Sequence, residues 1–472
     1  MPTQCLAVFQ GHLDICCAIS SPIECKFYYD STKDAVVVVT SDSPIHIQKI
    51  AELDASSSAR GLQEAYDGAP ASAMIVVEAF DEGEVLPGRW RFGSSDGKRS
   101  FQLLVFPRQH SLALIQNLPL LAVAGAKRSR SEAENKPGAS SSSVVEAGPA
   151  HQAEVAALID KLDQLPEKHT VRITTGQHQD YTLFHMRTVA NTPAACVFQA
   201  KHSAHPNSVV MVKALKPRGL GVVPRAKVWE AEFRIQSKLQ LDAIVGVMSA
   251  DARIEALYLE YVDAPDLASR KWCHRGQDTS SWHFRGDRGD AVRVLSDMSR
   301  ALRHIHEARI IHNDIKPANI LYSQSVGAKL IDFGLATVDG ASPSSGGTPW
   351  YVAPEYLDQR QRKAPADAWA TGVVMLYLLG RVSLPEGQQQ APGWPLADLV
   401  GWGNKQFLAA GRMRSWLDIV DAGREKLVED ARTRQDWLAG IVSRMLDRNP
   451  SRRISAANLV YELQGRVSAS SS

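Results

Sequence analysis

The 472-residue chain carries 53 Lys and Arg against 51 Asp and Glu, a formal net charge of +2 at pH 7. Charge this close to balance gives no electrostatic case for binding nucleic acid. Hydrophobic residues make up 44% of the chain, which suffices for packed cores, but they never form the run of about 18 that predicts a membrane span. The length predicts about three domain-sized units.

Six cysteines are few for this length, and their spacing does not match that of a zinc site. We therefore expect free thiols in a reducing compartment. The N-terminus has no basic region followed by a long apolar core, so we expect no secretory signal. Together these features predict an intracellular protein, in the cytoplasm or the nucleus.

Residues 1–125 are predicted to form a small domain of their own. β-Branched runs at 35–40 and 73–80 are typical of strands, and residues 90–92 and 101–106 flank a Gly-Ser-Ser-Asp-Gly turn that predicts a hairpin. We expect a β-rich or α+β module. It carries no catalytic constellation, so we interpret it as an interaction or regulatory domain with a possible regulatory partner.

Residues 126–150 are dominated by serine, glycine, alanine and charged residues, with too few large apolar groups to repay ordering. We predict a disordered linker. Its basic cluster at 127–130 resembles a nuclear import signal, although a solvated linker charge run is the alternative. After the linker, apolar residues in 151–165 recur at helical spacing and predict a helix that ends before Pro166.

Residues 181–216 are predicted to be strands, and 209–216 alternate with the period of a strand that contains Lys213. One side of the helix predicted to follow is formed by Val228, Glu232, Ile235 and Leu239. A carboxylate on such an apolar side needs a partner, and Lys213 is the candidate. The alternative is a surface glutamate that keeps its carboxylate in water.

The densest chemistry lies in residues 310–335. Asp314 follows an apolar pair in a loop, where a carboxylate can reach a substrate hydroxyl, and Lys316 can neutralise phosphate charge. Asn319 and Asp332 offer the hard oxygen ligands that Mg²⁺ prefers. Phosphoryl transfer asks a protein for little beyond such positioning and charge stabilisation. This stretch therefore supplies a base, a cation and two metal ligands.

These residues belong to an ordered set of motifs that resembles the eukaryotic protein kinases. The set consists of His312-Asn313-Asp314, Asn319, Asp332-Phe333-Gly334 and Ala353-Pro354-Glu355. Lys316 and the run Gly347-Thr348-Pro349-x-Tyr351 resemble the serine/threonine branch of that family. The resemblance covers residues 172–467 and does not extend to the first 150.

The resemblance implies an α+β fold with two lobes, in which a small β-rich lobe precedes a larger helical lobe. We expect the kinase-like domain at 151–467, with the small lobe at about 172–262 and the large lobe at about 263–467. The implied activity is transfer of the γ-phosphoryl group of ATP, with Mg²⁺, to a serine or threonine hydroxyl of a protein substrate.

The resemblance also implies a role for each candidate site residue. Lys213 would orient the phosphates and Glu232 would hold Lys213, while Val197 would contact the nucleotide just after the phosphate loop. Backbone groups of Glu260 and Val262 would bind adenine, and Asp266 would meet the ribose. Asp314 would act as the base, Lys316 would stabilise the transferred group, and Asn319 and Asp332 would bind Mg²⁺.

Three scaffold roles follow from the same resemblance. Thr348 would bond Asp314 and Lys316, Glu355 would pair with Arg453, and Asp367 would brace the backbone of the catalytic loop.

The chain departs from the family pattern in two places. The phosphate loop has Ala190, Thr192 and Ala195 where the family has glycines, and glycines let backbone N–H groups approach phosphate closely. Asn313 stands where an arginine usually precedes the catalytic aspartate, so the usual clamp for an activation-segment phosphate is missing. These departures keep open the alternative that the chain is a pseudokinase acting as a binding scaffold.

Overall fold

The computed structural model describes residues 5–8, 16–19, 23–30, 34–51, 74–105, 110–115, 155–175, 180–216, 221–275, 281–341, 346–360, 362–387, 392–401 and 403–470. The chain forms two compact units. Unit 1 is Met1–Val222 with Asp251–Ala256, and unit 2 is Val223–Ala250 with Leu257–Ser472. The predicted linker and its basic cluster lie outside the described residues, so the linker, nuclear import and intracellular location stay predictions.

The first part of unit 1 consists of strands. They are β1 (Cys5–Val8), β2 (Cys16–Ile19), β3 (Cys25–Asp30), β4 (Ala35–Thr40), β5 (Ile45–Ala51), β6 (Met74–Val77), β7 (Glu82–Val85), β8 (Gly88–Ser94) and β9 (Ser100–Val105). One sheet has the order β1-β9-β8-β5-β6 and another has the order β2-β3-β4-β7. The predicted hairpin is confirmed, since β8 and β9 pair antiparallel.

Both of these sheets contribute to one apolar core. Phe27 of β3 packs edge-on against Phe92 of β8, with ring centroids 5.5 Å apart, and Phe92 stacks on Phe101 of β9 at 5.0 Å. The two β-branched runs form strands as predicted, β4 and β6, and Val38 of β4 is fully buried. The N-terminal region is therefore β-rich.

The second part of unit 1 is another sheet. Its strands are β10 (His110–Ile115), β11 (Val155–Ile159), β12 (Thr170–Thr175), β13 (Tyr181–Asn191), β14 (Ala195–His202) and β15 (Val209–Leu215), in the order β11-β10-β12-β13-β14-β15. Short 3₁₀ turns lie at Leu162–Gln164 and Ala252–Ile254. Strand β10 pairs with both β11 and β12, so residues before the predicted linker join this sheet. The predicted domain limits stay predictions.

The helix predicted over residues 151–165 is wrong. The described part of that range is strand β11, followed by the 3₁₀ turn. Leu158 pairs with Ala113 of β10 and is 71% exposed, so the apolar residues do not share one buried helical side. Pairing along the edge of the sheet decides the conformation of this short segment, as context often does for propensity.

Unit 2 is mainly helical. Its helices are α1 (Val222–Gln236), α2 (Arg288–Glu307), α3 (Tyr356–Gln359), α4 (Ala364–Leu378), α5 (Leu396–Val400), α6 (Asn404–Thr433), α7 (Trp437–Met445) and α8 (Ala456–Ser470). Its strands are β16 (Val247–Asp251), β17 (Ala256–Glu260), β18 (Cys273–Arg275), β19 (Trp282–Phe284), β20 (Ile310–Ile311), β21 (Ile320–Ser323), β22 (Gly327–Leu330) and β23 (Thr337–Val338). Further 3₁₀ turns lie at Pro317–Asn319, Pro349–Tyr351 and Pro385–Gly387.

Helices α2 and α4 form the centre of the core of unit 2. Helix α2 begins at a capping box, in which the Asp287 carboxylate accepts from the Asp290 N–H and the Asp290 carboxylate accepts from the Asp287 N–H. Helix α4 is buried on every side from Asp367 to Leu378, as an all-round apolar sequence predicts. None of the helices in the described ranges is both long and apolar enough to cross a bilayer.

Candidate active site

The loop after β20 brings three of the predicted site residues together. Asp314 is 7% exposed, and its Oδ2 lies 2.8 Å from Nζ of Lys316. Asn319 ends a one-turn 3₁₀ helix, and its Nδ2 donates to the Asp314 carbonyl at 2.8 Å and to Asp314 Oδ2 at 3.1 Å. The Asp314 carboxylate is thereby held in one orientation by an ammonium and an amide.

A second carboxylate braces the backbone of this loop. Oδ2 of Asp367 accepts from the His312 N–H at 2.9 Å, and Oδ1 accepts from the Asn313 N–H at 3.1 Å. Burial pushes the pKa of Asp367 up, but the hydrogen bond and charge interaction with His306 and the interactions with His312 outweigh it and leave that pKa below its ordinary value. The predicted brace is confirmed, and Asp367 stays ionised.

Asn313 has a left-handed backbone, with φ of +68°, a conformation in which asparagine is enriched. Its Nδ2 donates to the Leu335 carbonyl and to Thr337 Oγ1, both at 2.9 Å. The side chain thus ties the catalytic loop to the residues after Asp332-Phe333-Gly334. A neutral amide performs this contact without any phosphate.

Thr348 completes a triangle with two of these groups. Its hydroxyl donates to Asp314 Oδ1 at 2.8 Å and accepts from Nζ of Lys316 at 2.8 Å. The segment that carries Thr348 is anchored at its far end, where Arg453 donates two hydrogen bonds to the Glu355 carboxylate at 2.8 and 2.9 Å. Both predicted scaffold contacts are confirmed.

The backbone of Asn319 is paired with Ile331, the residue before Asp332. The Ile331 N–H donates to the Asn319 carbonyl at 3.0 Å, so the two predicted metal ligands lie on neighbouring segments. Because Nδ2 of Asn319 is committed to Asp314, its Oδ1 faces away from that carboxylate. The Asp332 carboxylate is exposed. An amide oxygen and an exposed carboxylate fit a hard cation such as Mg²⁺.

The predicted adenine and ribose segment runs beside this region of unit 2. The Leu267 N–H donates to the Ile320 carbonyl at 3.0 Å, and the Tyr322 N–H donates to the Pro265 carbonyl at 2.9 Å. Asp266 lies between these bonds, and burial raises the pKa of its carboxyl group. Backbone hydrogen bonds therefore hold the segment around Asp266 against strand β21, which directly follows Asn319.

Glu260 and Val262 begin that segment. The Glu260 carboxylate accepts from Lys329 Nζ at 2.6 Å and from the Gly246 N–H at 3.2 Å, while Val262 is buried. Lys329 lies in β22, three residues before Asp332. Glu260 therefore links the predicted adenine segment to the strand that leads to the predicted metal ligand.

Lys213 and Val197 belong to unit 1. They are directly opposite each other in the antiparallel pair β14–β15, so their side chains lie on the same face of the sheet. Ala190 of β13 is opposite Val197 in turn. The side chains of Lys213 and Val197, which are expected to contact the nucleotide, thus lie on one face of this sheet.

The phosphate-loop segment is a closed hairpin between β13 and β14. Oγ1 of Thr192 donates to the Ala195 carbonyl and accepts from the Ala195 N–H, both at 3.1 Å, and the Thr192 N–H donates to that carbonyl at 2.9 Å. Lys216 bonds the Asn191 side chain, and its N–H donates to the Ala194 carbonyl at 2.9 Å. A threonine side chain therefore closes the turn that lacks glycines.

Glu232 occupies the buried side of α1, as predicted, and is 2% exposed. The predicted side was partly wrong, because Val228 is 39% exposed while Trp229 is fully buried. The buried side runs one residue later around the helix than the apolar pattern indicated. The pairing of Glu232 with Lys213 stays a prediction.

Sequence reasoning missed two residues that reach the site. One is Lys329, which holds Glu260, and the other is Arg362, whose Nη1 donates to the Asn313 carbonyl at 3.2 Å. Lys329 could have been found as a lone cation in an apolar strand close to Asp332. Arg362 has no comparable signal, since it lies among several basic residues between Glu355 and Asp367.

Comparison with known proteins supports the resemblance. Residues 191–462, more than half of the chain, match the family model described as a protein kinase domain. The chain is 33% identical over 186 residues to "Probable serine/threonine-protein kinase PBL4" of Arabidopsis thaliana, covering 37% of this chain and 43% of that protein. It is 31% identical over 208 residues to "Serine/threonine-protein kinase DCLK3" of Homo sapiens, covering 42% of this chain and 27% of that one.

The chain thus spans less than half the length of these relatives. The predicted two-lobed fold, with a β-rich region before it, is confirmed.

Proposed function

We propose that this chain, which belongs to the protein kinase family, is an active serine/threonine kinase that transfers the γ-phosphoryl group of ATP to a protein hydroxyl. The observation that carries the proposal is the triangle of Asp314, Lys316 and Thr348, in which each pair of polar atoms is 2.8 Å apart. A base, a cation and a hydroxyl at one point are the groups that aim a substrate hydroxyl at phosphorus.

Each group in the triangle has one task. Asp314 accepts the proton of the substrate hydroxyl, since its carboxylate is fixed by Asn319 and by the braced backbone. Lys316 places its positive charge where the transferred phosphoryl group gains negative charge. Thr348 holds Asp314 and Lys316 in register, so that little reorganisation accompanies the reaction.

Asn319 and Asp332 would hold Mg²⁺, and Lys213, held by Glu232, would orient the phosphates. When bound with ATP, Mg²⁺ neutralises the phosphate oxygens. Backbone groups of Glu260 and Val262 would bind adenine, Asp266 would bond the ribose, and Val197 would contact the nucleotide just after the phosphate loop. The protein substrate would carry serine or threonine, and the N-terminal β-rich region would bind a regulatory partner.

The alternative function is a pseudokinase scaffold. The absence of glycines from the hairpin at 190–195 favours it, because alanine and threonine keep backbone N–H groups further from phosphate. The complete set of side chains in the catalytic loop argues against it, since a scaffold has no need of an aligned base and cation.

A transfer assay with labelled ATP, Mg²⁺ and a library of serine, threonine and tyrosine peptides tests the proposal. The wild type is expected to label serine and threonine peptides, and Asp332→Ala is expected to abolish labelling. A thermal shift with ATP and Mg²⁺ separates the two functions. No shift together with no transfer would support the scaffold, and labelling that survives Asp332→Ala would refute the assignment of that residue.

A further inference from the structure

Arg362 lies between α3 and α4, and its guanidinium touches two segments of the active site at once. Nη1 donates to the Asn313 carbonyl at 3.2 Å. A Cβ added to Gly347 would lie 3.0 Å from Nη1 and 3.2 Å from Nη2, so the guanidinium packs directly on the backbone next to Thr348. One cation therefore spans the residue before Asp314 and the residue before Thr348.

The surroundings of Arg362 explain why the guanidinium stays in this place. Cζ lies 4.9 Å from the centroid of the Tyr356 ring, within the range of a cation–π contact. Burial lowers the pKa of Arg362, while Tyr356, Asp314 and Asp367 oppose that shift. Because arginine keeps its proton even when buried, the site holds a fixed positive charge beside two carboxylates.

Among the described residues, these contacts do not use every hydrogen-bonding atom of the Arg362 and Asn313 side chains. Nε and Nη2 of Arg362 and Oδ1 of Asn313 are shielded from solvent and have no hydrogen-bond partner among the described residues. Asn313 and Arg362 line the same cavity of about 20 Å³, together with Tyr351, Tyr356 and Asp367. Such a cavity has room for one water, and buried donors and acceptors are nearly always satisfied.

We propose that Arg362 is a positioning residue for phosphoryl transfer, which holds the loop of Asp314 and the segment of Thr348 in register without a phosphate. The proposal rests on the proposed kinase activity. Asn313 stands where the family's phosphate-binding arginine would be, and Arg362 supplies the missing positive charge from 49 residues further along the chain. The cation is built into the fold, so the active arrangement does not wait for modification of the segment.

Three variants test this role in steady-state assays on the full chain. Arg362→Gln removes the charge and the fork of donors, Arg362→Lys keeps the charge alone, and Lys363→Gln removes one charge from the exposed neighbouring residue as the matched control. We expect Arg362→Gln to lower kcat about 10- to 100-fold, because small misplacements of reacting groups cost that much. Arg362→Lys should recover part of the loss, and Lys363→Gln should keep the wild-type kcat.

The KM for ATP distinguishes a positioning role of Arg362 from a general loss of structure. It should stay within about twofold of wild type in every variant, because Arg362 touches the segments of Asp314 and Thr348 and not those expected to bind nucleotide. A parallel loss of kcat, ATP affinity and thermal midpoint would show a merely structural role and overturn the proposal. Should Arg362→Gln fail to fold, Arg362→Lys carries the same comparison.

A double-mutant cycle with Thr348→Val gives an independent readout. If Arg362 acts by placing Thr348, the double variant should lose less kcat than the product of the two single losses. Purely multiplicative losses would overturn the proposal. A wild type that transfers no phosphate would overturn both this proposal and the kinase activity, whereas an active wild type with unchanged Arg362→Gln would overturn this one alone.

Discussion

The catalytic loop of unit 2 keeps the motif of the protein kinase family more fully than the β13–β14 hairpin of unit 1 does. In the loop, Asp314, Lys316 and Asn319 match the family motif, and their side chains meet at hydrogen-bonding distances. In the hairpin, Thr192 and Ala195 replace glycines, and a side-chain hydroxyl closes the turn. The family resemblance assigns hydroxyl activation to the loop and phosphate binding to the hairpin.

The difference teaches which parts of the reaction depend on side chains. A general base and a cation cannot be replaced by backbone groups, so the catalytic loop has little freedom. Phosphate binding by a hairpin uses backbone N–H groups, and side chains such as Lys213 can share that task. A chain can thus lose glycines from the hairpin and still keep the side chains of the loop.

The largest expected effect lies in the catalytic loop. Asp314→Asn removes the base but keeps the size of the side chain and one acceptor oxygen. We expect kcat to fall by about 10²–10⁴-fold, the usual contribution of a positioned general base. Peptide phosphorylation measures it, and Asp358→Asn, at an exposed carboxylate, is the control. A fall of less than about threefold would mean that Asp314 is not the base.

Next in size is the buried pair that anchors the segment of Thr348. The Arg453 side chain is fully buried and that of Glu355 is 9% exposed. Arg453→Met leaves Glu355 as an unpaired buried charge, so we expect unfolding free energy to fall by about 3–5 kcal/mol. Urea unfolding measures it.

The matched control for that variant is Arg452→Met, because the Arg452 side chain is 74% exposed. It should change the stability by less than about 1 kcal/mol, as surface ion pairs do. Equal effects of the two substitutions would mean that the Glu355–Arg453 ion pair does not stabilise the fold as predicted.

A smaller effect is expected in the hairpin. Thr192→Gly removes the Cβ at one of the three positions where the family has glycine and this chain does not. Backbone N–H groups can then approach phosphate more closely. We expect the Kd for ATP to fall about fivefold, equal to about 1 kcal/mol. Titration calorimetry measures it, with Ala194→Gly in the same turn as the control. Weaker ATP binding by Thr192→Gly would mean that the threonine closure is itself a binding feature.

A separate prediction concerns pH and the sheet that carries the hairpin. His202 of β14 stacks on Tyr181 at 4.7 Å, and burial, with a contribution from His205, lowers the pKa of His202 to about 4 from its ordinary 6.5. The unfolded chain binds the proton more tightly, so the stability contribution is full above pH 6.5 and is lost as pH falls toward 4.

The expected slope from this group is at most about 1.4 kcal/mol per pH unit within that window. Thermal unfolding between pH 7 and 4.5 measures it. His202→Gln should reduce the pH dependence, and an unchanged dependence would assign the effect to other groups.

The sequence predicted the contacts within the catalytic loop well because its residues lie close together along the chain. Asp314, Lys316 and Asn319 lie within six residues, so a short turn suffices to bring them together. The longer contacts of Thr348 and of Glu355 with Arg453 were predicted from the family pattern alone. No spacing rule reaches across the 98 residues that separate Glu355 from Arg453.

The failures share a physical cause, since each depends on packing that the local pattern does not contain. Residues 155–159 pair with β10 and form a strand in place of the predicted helix. Helix α1 buries Trp229 and exposes Val228, because neighbouring elements decide which side is covered. Arg362 gains its place from contacts with Asn313 and Gly347, distant in sequence.

Transfer of labelled phosphate from ATP to a serine or threonine peptide by the purified chain, beside Asp314→Asn, tests the central claim most directly. The account predicts transfer by the wild type, none to tyrosine peptides, and at least a hundredfold slower transfer by Asp314→Asn. Absence of transfer by a wild type that binds ATP with Mg²⁺, or equal transfer by both proteins, would contradict it.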